Sequence, residues 1–97
     1  MRAFLLIFCL SSTAAYADPP ATERYAPAQL RVAYDLLERA RAAAARGESG
    51  LAGKLAWQAS LDARLTWGMT ESEALRAEAA EVGGAARALV TQLAGSR

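Results

Sequence analysis

The chain has 97 residues, enough for one small domain, and carries 11 Lys and Arg against 10 Asp and Glu. So even a balance argues against nucleic acid or anionic lipid as the main partner, because both need a surplus of basic side chains. The chain has no His and one Cys, which removes the usual general base, the common zinc ligands and any internal disulfide.

The first segment, "MRAFLLIFCLSSTAAYADPP", opens with a positive charge at Arg2, an apolar run from Ala3 to Leu10 and a small polar stretch. Ala15-Tyr16-Ala17 has the small-x-small pattern of signal-peptidase substrates, so residues 1–17 are expected to be a leader cleaved after Ala17. The apolar run is shorter than the roughly 20 residues of a membrane-spanning helix. Export to the periplasm and no integral membrane segment after cleavage are therefore expected. Phe8 before Cys9 is too bulky for a lipid-attachment site. The mature chain then lacks cysteine and balances 10 basic residues against 10 acidic ones.

Residues 18–27 hold three prolines in ten positions and read as an extended leader. Pro27 suits a first helical turn, where its missing N–H is no loss. Residues 28–97 are expected to form one α-helical domain. A first helix runs from Ala28 to Arg46, with an apolar stripe at Leu30, Ala33, Leu37, Ala40 and Ala44. Arg31, Asp35 and Arg39 form a charge ladder on its far side. Gly47 suits the position just past the helix end.

After the turn a second helix starts near Ser49 to Leu51. One face carries Leu51, Ala52, Leu55, Ala56, Ala59, Ala63 and Thr66, mostly small, which lets two helices approach closely. The two helices should thus form an antiparallel hairpin. The register places Tyr34 opposite Asp62, and the Tyr34 hydroxyl is expected to donate to that carboxylate, since an unpaired buried carboxylate is unfavourable. The alternative has Asp62 tilted outward to water.

The pattern from Ala26, with Ala33, Leu37, Ala40, Ala44, the turn at Gly47, then Leu55-Ala56, Gln58-Ala59 and Asp62-Ala63, resembles the bacterial domain of unknown function 4398 family. The resemblance covers about Ala26 to Val82. It implies a short, exported, Ala-rich helical hairpin, and it brings no catalytic residues. Some members of that family join an outer-membrane-protein-A-like peptidoglycan-binding domain, which this sequence is not expected to carry. Glu48 in place of the usual Asp, and Trp67-Gly68, depart from the family pattern.

A second apolar stripe lies on the face of the second helix away from the first. At about 100° per residue, Trp57, Leu61 and Leu65 align there. An unbroken count adds Leu75, Ala79, Val82, Ala86, Leu89 and Leu93, spaced 4, 3, 4, 3 and 4 as in a heptad seam. Trp57, Leu61, Leu65, Leu75, Val82, Leu89 and Leu93 are therefore the candidate interaction seam.

Two all-α architectures bury this seam. In the favoured one the second helix runs through Gly68, straight or kinked, and the seam meets a protein partner or a second copy. In the alternative the chain breaks at Gly68, Thr70 caps a third helix with Glu73 in a capping box, and a three-helix bundle forms with Val82 near Trp57 and Ala79 near Leu61.

Ser49, Ser60 and Ser72 have no activating base in the sequence, and Glu71, Glu73, Glu78 and Glu81 read as a solvated face. No catalytic, cofactor-binding or metal-ligating residue is assigned. The expected role is a non-enzymatic interaction or scaffold protein of the cell envelope. The alternatives are a small holdase that binds clients through the same seam and an accessory subunit of an enzyme.

Overall fold

The computed structural model describes residues 21–95, with side chains from residue 23 onward. The expected signal peptide, its cleavage site and residues 18–20 of the leader lie outside them. Three helices follow in order: α1, Ala21–Ala45; α2, Ser49–Met69; α3, Glu73–Gly95. The described residues contain no strand, so the fold is all-α with three helices rather than a two-helix hairpin.

Helix α1 starts at Ala21, and Pro27 lies inside it rather than in its first turn. An interior proline removes one backbone donor and crowds the carbonyl one turn back, at a cost of about 3 kcal/mol. Tertiary contacts hold the extra turns. Ala26 is fully buried, and the Glu23 carboxylate is bonded to the far end of α2. The stripe at Leu30, Ala33, Leu37 and Ala40 is buried as expected, and it continues at Ala43 rather than Ala44.

The helix ends as the glycine predicts. Gly47 has φ +83°, the Gly47 N–H donates to the Ala44 carbonyl and the Glu48 N–H to the Ala43 carbonyl. These two bonds close the last turn in a Schellman arrangement, satisfying carbonyls that have no partner within the helix.

Helix α2 is the middle member. Both α1 and α3 pack mainly against it and less against each other. Its buried residues are Ala52, Ala56, Ala59, Ser60, Ala63 and Thr66, close to the small-residue face read from the sequence. The exceptions are Leu51, which is exposed, and Leu55, which is half-buried.

The continuous second helix is not formed. Gly68 stays helical, and α2 ends one residue later at Met69. Thr70 is extended (φ −130°, ψ 151°), and α3 begins at Glu73. The cap of α3 is Ser72 rather than Thr70: its Oγ accepts the Leu75 N–H at 3.3 Å, and its carbonyl accepts the Arg76 N–H. Ser72 takes this role because the Thr70 hydroxyl is engaged elsewhere, with Glu23 and the Ser72 amide.

The fold-back also takes a different side of α2 than expected. Ala79, Val82 and Ala86 of α3 join Leu30, Ala33 and Leu37 of α1 and Ala59 and Ala63 of α2 in one core cluster. They do not cover Trp57 and Leu61. A helix laid along the outer face would touch α2 alone. Seated beside the small residues it buries its stripe against two helices, which removes more apolar area from water. The approach is close at Gly83, where an added Cβ would lie 3.4 Å from the Ala63 Cβ.

Candidate interaction face

With α1 and α3 on one side of α2, no helix among the described residues covers its other side. Taking Leu61 as the centre, at about 100° per residue, Lys54, Trp57, Leu65 and Gly68 lie within a narrow sector around it, opposite Ala52, Ala59 and Ala63. Trp57 is 54% exposed, Leu61 45% and Leu65 52%. Leu61, Arg64, Leu65, Gly68 and Met69 line a shallow depression of about 410 Å³ on this face. Gly68 contributes to it by lacking a side chain, since nothing lies within 4 Å of where its Cβ would be. Lys54 stands at the start of the stripe and Arg64 beside it, and neither makes an ion pair among the described residues.

The structure thus divides the candidate seam. Trp57, Leu61 and Leu65 form an exposed face. Val82 is buried in the core, and Leu75 and Leu89 pack against that core half-buried. Leu93, near the end of α3, is half-buried as well. The unbroken count that put all seven on one side holds for a straight helix and fails across the bend at Thr70.

The structural pair is not formed. No hydrogen bond joins Tyr34 to Asp62. Tyr34 is 40% exposed and lines a groove between α1 and α3 with Leu37, Arg41, Glu81 and Val82. The Asp62 carbonyl, rather than its carboxylate, takes the nearby donor: the Thr66 hydroxyl at 2.9 Å. Arrival of α3 beside α1 explains the change, because it gives Tyr34 a new neighbour. Asp62, only half-buried, keeps contact with water.

A polar joint that sequence reasoning did not find closes the end of the bundle beside this face. The Thr70 hydroxyl donates to Glu23 Oε2, and the Glu71 N–H lies 3.3 Å from both Glu23 oxygens. Thr70 Oγ also accepts the Ser72 N–H at 3.0 Å. From α3, Arg76 Nε reaches the Trp67 carbonyl at 3.2 Å and the Thr70 carbonyl at 2.8 Å. Its guanidinium sits 4.1 Å from the centre of the Trp67 ring. One arginine therefore satisfies two carbonyls at the end of α2 and stacks on an indole there. Thr70 carried a local capping signal in the sequence, whereas Ser72 was not read as a cap. Glu23 and Arg76 carried none, because their partners are distant or lie across a bend.

The serines have structural roles at two positions: Ser60 Oγ donates to the Trp57 carbonyl at 2.7 Å, and Ser72 caps α3. Glu71, Glu73, Glu78 and Glu81 are all exposed. No helix among the described residues is long and apolar enough to cross a membrane. Comparison with protein-family models, curated proteins and solved structures finds no match to this chain.

Proposed function

We propose that this protein is a non-enzymatic interaction module of the bacterial cell envelope that holds a protein partner on the outer face of α2. The observation that carries this reading is the run Trp57, Leu61 and Leu65, all about half exposed on the side of α2 away from α1 and α3. Tryptophan is enriched among interface anchors, and apolar side chains at successive helical turns are how an amphipathic helix docks on a partner. Lys54 and Arg64, without ion pairs among the described residues, favour a partner helix whose apolar stripe is edged by Asp and Glu. The leader expected at residues 1–17 and the resemblance to exported Ala-rich hairpins support a partner in the periplasm.

A photoreactive residue at position 61 tests the reading in envelope extracts, with the same group at exposed Ala42 on α1 as reference. A discrete adduct at 61, absent at 42 and lost in Trp57→Ala, is expected. Equal labelling at both positions would sink the proposal. The holdase reading uses the same face and predicts instead many adducts of differing mass, together with suppressed aggregation of a model client.

A further inference from the structure

We infer that the cleft between α2 and α3 bordered by Arg64 and Arg87 is a binding site for the phosphoryl group of a phosphate monoester. The cleft lies beside the outer face of α2 and does not depend on a partner held there.

The chain balances its charges as a whole, but they are unevenly placed. On α3, Glu78 and Glu81 border the grooves against α1. The flank of α3 toward α2 carries Arg87 instead. Arg64 and Trp67 of α2, with Ala80, Gly83 and Arg87 of α3, line a cleft of about 190 Å³. No carboxylate among the described residues lines it, and neither arginine makes an ion pair among them. Two guanidiniums bordering one cleft repel each other unless an anion stands between them. The Arg76 guanidinium, 4.1 Å from the centre of the Trp67 ring, adds a third positive charge at the border.

The backbone keeps the cleft open. Gly83 is buried, and a Cβ there would stand 3.3 Å from Arg87 Nη1 and 3.4 Å from the Ala63 Cβ. The Arg87 side chain thus folds back one turn along α3, over the glycine and toward the cleft, rather than straight out to water.

Size and charge select the ligand. Pockets that hold whole small molecules measure about 300–1,000 Å³, so this cleft takes one end group. A guanidinium is a planar fork of donors that matches carboxylate and phosphate oxygens. A single fork satisfies both oxygens of a carboxylate. A phosphoryl group has three terminal oxygens and carries a charge of about −1.5 to −2 at pH 7, so two forks can share it.

Residues 18–97 contain every member of the core cluster and are the chain to test. The arginine Nε–H signals are followed by NMR as glycerol 3-phosphate is added at constant ionic strength. Saturable shifts are expected at Arg64 and Arg87. None is expected at Arg31 and Arg41, which border the grooves that hold Glu78 and Glu81. Arg87→Gln should weaken binding about tenfold, as the loss of a charge-assisted hydrogen bond implies. Arg87 is exposed, so the variant should keep its helical circular dichroism. It does not line the depression at Leu61, so its loss of binding leaves photocrosslinking at position 61 unchanged. Acetate should bind more weakly than the ester.

Equal shifts at all four arginines would reflect ionic screening and overturn the proposal. So would an Arg87→Gln protein of unchanged affinity, or acetate that binds as tightly as the ester. Vesicles of phosphatidylcholine with phosphatidic acid separate a soluble ester from a lipid headgroup. Binding of the ester without co-sedimentation supports a soluble ligand in this site. Co-sedimentation that the ester competes away and Arg87→Gln abolishes supports the same site on a lipid. Co-sedimentation with no binding of the ester would overturn the proposal.

Discussion

Glu23 and Thr70 are 47 positions apart in the sequence, and the Thr70 hydroxyl donates to the Glu23 carboxylate. The bond ties the start of α1 to the end of α2, at the place where the chain turns into α3. Thr70 is 2% exposed, so its hydroxyl has little recourse to water when the carboxylate is removed. Glu23→Ala should destabilise the bundle by about 1–3 kcal/mol, the usual range for a buried polar group that loses its partner. Thr70→Val removes the hydroxyl as well as its need for a partner. In a double-mutant cycle by urea unfolding, the Glu23 and Thr70 changes should therefore cost less together than the sum of the two alone. Additive costs would show that the bond contributes nothing.

Arg76 acts on the same joint from the other side. It covers two carbonyls at the end of α2 with one nitrogen while its guanidinium stacks on Trp67. Lysine has a point charge and no planar fork, so Arg76→Lys retains the charge and loses the stacked plane. A loss of about 1–2 kcal/mol is expected, in line with charged hydrogen bonds that are partly exposed to water. In a Trp57→Phe background, the emission of Trp67 should change as well. An unchanged spectrum and an unchanged urea midpoint would show that the stack does not persist in solution.

Much of this bundle was legible in the sequence because its signals are local. The stripe of α1, the small-residue face of α2 and the stop at Gly47 are all read from residues within one or two turns of one another. The bend at Thr70 was the harder case. Helix-compatible residues and an unbroken heptad phase favour a straight helix, and the opposing contacts come from Glu23 and from the core. The same distance effect hid the extra turns of α1 ahead of Pro27. It also misplaced Tyr34, whose surroundings depend on where α3 lands. The outer face of α2 was recognised at Trp57, Leu61 and Leu65. Its extension through Leu75, Val82 and Leu89 required a straight helix, and those residues instead serve the core.

Two glycines separate backbone need from simple permissiveness. Gly47 has φ +83°, in the region where a Cβ is disfavoured, so Gly47→Ala should cost about 1 kcal/mol by comparison with the 1–2 kcal/mol penalty of a left-handed residue. Gly84 lies inside α3 with nothing within 4 Å of an added Cβ. Gly84→Ala should therefore stabilise by about 0.5–1 kcal/mol, the difference between Gly and Ala in a helix interior. Thermal melts of the two variants should move in opposite directions. A shared direction would contradict the assigned backbone at one of the two positions.

The divided seam gives the sharpest contrast. Val82 is 3% exposed and belongs to the core. Val82→Asp would bury an unpaired carboxylate among alanines and leucines, and should unfold a domain of this size, whose total stability is only about 5–15 kcal/mol. Leu61 sits at 45% exposure on the opposite side of α2. Leu61→Asp should change stability by about 0.5 kcal/mol or less, as surface substitutions usually do, while removing the central apolar contact of the proposed interface. Circular dichroism should show a helical Leu61→Asp protein and a largely unfolded Val82→Asp protein. If both unfold, the outer face of α2 is covered in the native fold. If both remain helical, α3 does not pack in the cradle. The predicted pattern, one folded variant that no longer holds its partner and one that does not fold, requires the bend at Thr70, because a straight helix would put the two residues on the same seam.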